Sequence, residues 1–491
     1  MERYNYRPMS YTPCFPAWRA RFAPRPGRTL PAVYVAELRR CTLDKLEDFL
    51  GPFLVGLPAL VPARAGARER PYSARRTWWG FLWQMLQLNA SCRDVVAQFQ
   101  ALFVLTGQRP VDEANSAYCQ ARARLPEPLF LAALRASAAA ADARVTPDGA
   151  LQGRVVKVLD ATTLNLPDTA ENQAAYPQPT SQKPGVGFPQ LHLLVVWSAR
   201  GGGVLEHVRG SKHDGEMRLL NQLLPALAPG DIAVYDRAAG HYVACARLRA
   251  HQVDLISRVS IRQIDWRKGV RLGPDERLVT WEKSRQKSPY LTPAEWAALP
   301  EEIVVRVIRV RVKQAGFLTR TLVLVTTLLD PVAYPAAEVA AAYLRRWRIE
   351  LCLDDLKTVL GLEALRCKSP AMIHRELLAL LVAHNLVRAV MANAAREHAV
   401  TLDRLSFTGS LDALLSFAAA SAQATTRAQR RRVWAGLLAR LAADLVPLRP
   451  GRHEPRAVTR RPKSYPHLNR PRRDYRVLRH GSRFRRPAKI T

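Results

Sequence analysis

Between residues 155 and 330 this chain gives up helical periodicity for short apolar runs, and on either side of that stretch it returns to helix. Residues 155–159, 191–197, 204–208, 232–235 and 253–257 are largely β-branched or apolar, too short for buried helices and long enough for strands. Glycines 201–203 supply a turn between the second and third runs. Helices are expected from Asp214, as a cap, to residue 227, and over 241–250. The order β, β, β, α, β, α, β predicts an α/β mixed sheet with helices on its faces. From 258 to 330 strand patterns continue, with a short helix near 293–299. Val and Ile alternate with Arg over 305–312, and 318–329 is again β-rich.

Both flanks read as helix. The spacing predicts helices over 43–53, 77–105, 114–125 and 129–141, with Trp78, Trp79, Phe81 and Trp83 as core of an N-terminal helical unit. The turn residues 146–149 mark its end. After Pro331, helices are expected over 335–360, 371–396, 408–421 and 426–445. No run of 18 apolar residues occurs, and the N-terminus has no apolar leader, so neither a membrane span nor secretion is expected. The seven cysteines, at 14, 41, 92, 119, 245, 352 and 367, form no CxxC pair. That spacing argues against a zinc site and a disulfide framework, and for a reducing, cytoplasmic compartment.

Charge narrows the partner. Lys and Arg number 74 against 41 Asp and Glu, a formal net charge of +33. An excess of this size calls for a polyanion, either nucleic acid or an anionic membrane surface. The bias toward Arg suits phosphate, which its planar fork grips in two places. Over 451–491, 12 Arg and 2 Lys meet only Glu454 and Asp474, a basic tail with little to build a core from.

Three carboxylates stand out by position. Asp160 and Asp236 each close a short apolar run, and strand ends in open α/β sheets are where ligands are met. Starting a turn or capping a helix is the commoner role for such an Asp taken alone. Further on, Tyr343, Arg346, Glu350 and Lys357 fall on one stripe of an α-helix at about 100° per residue. Leu344, Trp347 and Leu351 flank it on one side; Ile349, Leu353, Leu356 and Leu360 flank it on the other. Such a stripe is either the reactive edge of a helix wedged into a core or a solvated face with an i,i+4 ion pair. Spacing leaves both open. Asp354 and Asp355 read as surface charges, and His192, His207, His213 and His241 show no metal spacing.

The pattern Tyr343-x2-Arg346-x3-Glu350-x6-Lys357 resembles, position for position, the signature of the insertion-sequence-four family of bacterial DDE transposases. The text LDATTLNLPDT around Asp160, PGDIAVYDRAAGHY around Asp236, the N-terminal TWWGFLWQMLQLNASCRDVV and the C-terminal EPRAVTRRPKSYPHLNRPR are similar to the same family, so the likeness spans about 70–475. It implies a ribonuclease H-like mixed-sheet core interrupted by a β-rich insertion, with helical N- and C-terminal regions. The expected divisions are a helical DNA-binding region (1–150), the first part of the catalytic core (151–259), the insertion (260–330), the second part with the Glu-bearing helix (331–400), a helical region (401–450) and the tail (451–491).

By the same resemblance Asp160, Asp236 and Glu350 would be catalytic and would hold two Mg²⁺ or Mn²⁺ ions. Tyr343, Arg346 and Lys357 would hold DNA phosphates, with Arg237 and Arg348 as further candidates. The expected partners are double-stranded DNA at transposon terminal inverted repeats, target DNA and, because two ends must be held together, a second copy of the chain. The expected setting is the bacterial nucleoid. Some relatives place a Trp before the last insertion strand to stack on a flipped base. Here that neighbourhood, Val323 and Leu324, is aliphatic, and Trp266, Trp281 and Trp296 do not match it, so a hairpin route is not implied. Two rivals to a cut-and-paste transposase remain: a non-catalytic DNA-binding derivative, and a metal-dependent nuclease without strand transfer.

Overall fold

The computed structural model describes residues 43–57, 70–87, 89–105, 107–311 and 321–447. The basic tail and Cys14 and Cys41 lie outside these residues.

The N-terminal part is helical: α1 (Leu43–Leu50), α2 (Ala74–Leu86), α3 (Cys92–Leu105), α4 (Ser116–Arg124) and α5 (Glu127–Asp142). Ser73 starts α2 by accepting the Arg76 N–H on its hydroxyl, which satisfies one of the orphan donors of a first turn. The aromatic run on α2 is core: Trp78 and Phe81 are fully buried, and Trp78 meets Phe130 of α5 edge-on at 5.1 Å between ring centroids. Gly80 lets α3 come close, because a Cβ there would lie 2.9 Å from the Phe99 ring.

The sheet follows, with β1 (Val156–Asn165), α6 (Ala170–Ala175), β2 (Gln190–Ser198), β3 (Val204–Ser211), α7 (Glu216–Leu223), β4 (Ile232–Tyr235), α8 (Tyr242–Ala250) and β5 (Asp254–Val259). Helix α7 begins after Gly215 rather than at Asp214, whose carboxylate instead accepts the Ser211 amide and hydroxyl and pairs with Arg218. Then come β6 (Val270–Gly273), β7 (Glu276–Glu282), α9 (Pro293–Ala297), β8 (Glu302–Arg311) and β9 (Thr321–Thr326). All nine strands form one sheet in the order β3-β2-β1-β4-β5-β9-β8-β7-β6. Strands β1 and β4, and β4 and β5, are parallel; β2 is antiparallel to both β1 and β3. That five-strand arrangement is a ribonuclease H-like core. The sheet does not break at residue 260, since β9 adds antiparallel to β5, from Ile256↔Thr326 to Val259↔Val323.

Period-two alternation gives the sheet two buried faces. Val158, Leu193, Val234 and Ile256 join one core, while Leu159, Leu194, Tyr235 and Leu255 join the other with α7 and α8. The first face is covered by α10 (Ala336–Leu344), α11 (Arg346–Asp354) and α12 (Pro370–Glu397), followed by α13 (Phe407–Ala422) and α14 (Arg427–Ala443). Among the described residues α12 alone is long and apolar enough to cross a membrane, and its apolar window is wholly buried inside the protein.

Candidate active site

Val158 of β1 lies opposite Val234 of β4 in parallel register. Asp160, two residues further along β1, and Asp236, just past the end of β4, lie near enough for the second to act on the first. Asp236 does close its strand. Asp160 does not: β1 continues to Asn165, because β2 pairs with it throughout, Asp160 opposite Val195. What ends near Asp160 is the ladder on the β4 side, whose last pair is Val158↔Val234. The second Asp also caps a single 3₁₀ turn, its carboxylate accepting the Ala238 N–H at 2.8 Å, and its backbone carbonyl accepts the Ser257 hydroxyl at 2.5 Å. Arg237 is exposed on that turn.

Glu350 comes to this place from α11. Its half-exposed carboxylate is held by Arg346, Nη1 to Oε1 at 2.6 Å. The Arg346 guanidinium lies 5.8 Å from the centre of the buried Tyr343 ring, and its Nε is buried without a hydrogen-bond partner. Burial pushes the Asp160 carboxyl up to about 6; Arg346 opposes this, Glu350 and Asp236 add to it, and Lys357 opposes it. Three carboxylates and two cations thus act on one another across β1, β4 and α11.

The stripe is not carried by one regular helix. It breaks at Arg345 between α10 and α11 and passes into a π-turn, Asp355–Val359, which carries Lys357. Only one of the two expected apolar flanks is buried: Ile349, Leu353, Leu356 and Leu360 are core, whereas Leu351 is 67% exposed and Leu344 and Trp347 are partly covered. Arg348 is not brought to the carboxylates. It pairs with Asp403 at 2.5 Å and lines a cavity of about 550 Å³ beside Val155 and Val156, at the start of β1. Asp354 is exposed, as expected, but Asp355 is not a free surface charge. Burial raises its carboxyl to about 6, with Arg388 of α12 opposing and Asp354 adding.

Sequence spacing missed a fourth carboxylate. Glu216, at the start of α7, accepts the Tyr235 hydroxyl at 3.3 Å, and burial and then Asp236 raise its carboxyl. No signal short of the fold relates residue 216 to 236. Of the histidines, His207 and His374 meet Nε2 to Nε2 at 3.1 Å between β3 and α12, while His192 hydrogen-bonds the Asp214 carbonyl and lies near enough to act on Glu216. Among the described residues, no three Asp, Glu, His or Cys side chains stand close enough to ligate one ion as the chain rests. The donor set nevertheless suits a hard divalent cation: carboxylate oxygens, an excess of negative charge, and an Asp160 whose ionisation costs energy until a cation is near.

Residues 151–386 match the family of transposase DDE domains, so the ribonuclease H-like core is that of a DDE transposase, an enzyme acting on DNA. Domains of this kind use divalent metal ions. Over 454 residues the chain is 26% identical to the transposase InsG for insertion sequence element IS4 of Escherichia coli (strain K12), covering 90% of this chain and 97% of that protein. Residues 151–386 are thus a transposase DDE domain, and the chain resembles the IS4 transposase over most of its length. It is also similar to a solved chain from a cryo-EM structure of the piggyBac transposase synaptic complex with hairpin DNA, with 9% identity, a TM-score of 0.39, and coverage of 84% of this chain and 86% of that one.

Proposed function

We propose that Asp160, Asp236 and Glu350 are the catalytic carboxylates of end cleavage and strand transfer for an insertion sequence, and that together they hold two Mg²⁺ or Mn²⁺ ions. The observation that carries this reading is the convergence of Asp160, at the end of the β1–β4 parallel ladder, with Asp236, just past β4, and Glu350 of α11, the last two both acting on Asp160. When bound, such ions activate the attacking oxygen and stabilise the leaving oxygen of an in-line phosphoryl displacement.

The chain's own groups position the DNA. Arg346 spends one nitrogen on Glu350, leaving donors for a backbone phosphate, and the Tyr343 ring restricts where that guanidinium can go. Lys357 brings a second cation to the same end, and Arg237 reaches out from the turn after Asp236. Arg348, engaged with Asp403, is left with a role away from the cut. Water attacks first at the transposon end; the freed 3′-OH then attacks the target strand. Each attack breaks one phosphodiester bond directly, so no protein nucleophile is needed. Two copies of the chain would pair the terminal inverted repeats in the nucleoid, and a shift from monomer to dimer on adding end DNA would check that.

The test uses a labelled end duplex with Mg²⁺ or Mn²⁺, beside a gel shift on the same DNA. Asp160→Ala, Asp236→Ala and Glu350→Gln are each expected to lose nicking and joining by about a thousandfold or more while still binding ends. Any one of them cutting normally would remove that residue from the set. A wild-type chain that binds ends and never cuts would favour the non-catalytic rival. One that cuts and never joins would favour the nuclease.

A further inference from the structure

Three of the widely spaced cysteines meet in one place. A cavity of about 620 Å³ between the N-terminal helices and the segment preceding α12 is lined by Cys92, Cys119 and Cys367, together with Gln84, Arg122 and Glu376. Cys92 opens α3, Cys119 lies on α4, and Cys367 lies just before α12. Cys92 and Cys119 face the same cavity close enough for each thiol to act on the other's proton affinity. Gln84 donates from Nε2 to the Cys92 sulfur at 3.7 Å, and Arg122 donates from Nη2 to the Cys367 sulfur at 3.9 Å.

Arg122 is the reason this pair differs from an ordinary pair of buried thiols. It is 6% exposed and lies over the rings of Phe81 and Tyr118, at 4.7 and 5.3 Å. Its Nη1 is spent on the neutral Gln84 carbonyl oxygen, its Nε has no partner, and among the described residues it has no carboxylate ion-pair partner. Glu376, the nearby acid, has both oxygens engaged by the backbone amides of Arg366 and Cys367. A desolvated guanidinium without a carboxylate favours an anion among the thiols around it. Both partners of the pair are half-accessible from the cavity, unlike Cys245 and Cys352, which are buried elsewhere.

We propose that Cys92 and Cys119 form an oxidant-reactive dithiol, with Cys92 as the attacking sulfur and Cys119 as the resolving one. The oxidant class is a hydroperoxide. The Cys92 thiolate attacks the oxygen–oxygen bond, which breaks to leave a sulfenic acid and hydroxide or alkoxide. The Cys119 sulfur then attacks the Cys92 sulfur, forming the disulfide and releasing the sulfenic oxygen as water. The two thiols lose two electrons and two protons, and the peroxide gains both. The direction of proton affinity agrees: Cys119 first, then Arg122 and Gln84, lower Cys92 against the effects of burial and of Glu376, while Cys119 is held up. Burial pushes the Cys245 thiol up to about 12, which makes it inert. The bond would tie the start of α3 to α4, beside the contacts that Arg366 makes with Asn89 and Ala90.

The test is peptide mapping of the full chain after a limited dose of hydrogen peroxide. The expected product is a Cys92–Cys119 disulfide, with Cys245 and Cys352 still free thiols. In Cys119→Ser, dimedone should capture a sulfenic acid at Cys92; in Cys92→Ser, Cys119 should stay unmodified. Iodoacetamide at pH 6.5 should alkylate Cys92 at least about tenfold faster than Cys367, in line with its larger thiolate fraction. Because these measurements use the wild-type chain as well as Ser variants, a poorly folded variant does not leave the question open. A predominant bridge to Cys367, a dimedone adduct on Cys119 instead of Cys92, or no bridge at doses that spare Cys245 and Cys352 would each overturn the proposal.

Discussion

Arg306 in β8 and Arg346 in α11 each lie against a glutamate, and they are equipped for different work. Arg306 is fully buried; its Nε faces the largely covered Glu276, and its Nη1 donates to the carbonyls of Leu328, Asp330 and Tyr334. Arg346 makes one ion pair with a half-exposed Glu350, keeps a buried Nε without a partner, and faces Asp160. Fixed carbonyls around a guanidinium join β8 to the segment leading into α10. A guanidinium held by a half-exposed side chain beside converging carboxylates is poised to exchange partners. Each also keeps one buried nitrogen without a partner, Nη2 in Arg306 and Nε in Arg346. Neither burial nor an unpaired donor therefore separates a structural arginine from a site arginine; what the guanidinium faces, fixed backbone carbonyls or movable carboxylates, does.

The largest effect should come from breaking the first arrangement. Arg306→Ala leaves Glu276 and three carbonyls unpaired inside the protein, and should cost about 3–5 kcal/mol of stability, read from denaturant unfolding. An unchanged midpoint would show that β8 tolerates the loss and that the contrast with Arg346 is false.

Arg346→Ala should do the opposite. The pair is i,i+4 and partly exposed, so stability should change by only about 0.5 kcal/mol. Cleavage of end DNA should fall by about a hundredfold, and Lys357→Ala should act in the same direction. If both retain full cleavage and end binding, the helix edge is merely solvated.

Asp355 sharpens the comparison from the other side, as a carboxyl buried beside Arg388 for structure alone. Its folded value is raised to about 6, so the native chain holds this proton while the unfolded chain releases it at lower pH. Its contribution to stability is therefore full below about pH 4 and is lost as pH rises through about 6. Asp355→Asn should stabilise the chain by up to about 2 kcal/mol at pH 8 and leave it unchanged at pH 4. Asp160 has the same window, so part of the wild-type slope will remain. A variant equally stable relative to wild type at both pH values would contradict the raised carboxyl. The smallest effect belongs to exposed Asp354, one turn beyond Glu350: Asp354→Asn should keep cleavage within about twofold of wild type.

Much of the fold was legible. The five core strands, their helices and the return to helix after Pro331 follow from runs of apolar residues whose length and period distinguish strand from helix. The two aspartates were legible because each closes an apolar run, although that signal misplaced the end of β1: a polar residue in a strand says nothing about whether a neighbouring strand goes on pairing with it. The helix stripe was legible as a spacing, and its break at Arg345 and π-turn at Asp355–Val359 were not, since backbone hydrogen-bond shifts leave no mark on periodicity.

The sequence by itself determined the local matters: which segments are strand or helix, where charge accumulates, and which carboxylates stand where apolar runs stop. Those depend on neighbours within a few residues, which the chain spells out directly. Only the tertiary structure decided that Asp236 and Glu350 come to Asp160, that Arg348 turns to Asp403 while Arg346 turns to Glu350, and that Cys92, Cys119 and Cys367 share one cavity around Arg122. Such meetings join residues tens to hundreds of positions apart, and they are fixed by strand register and helix packing, which spacing along the chain does not encode.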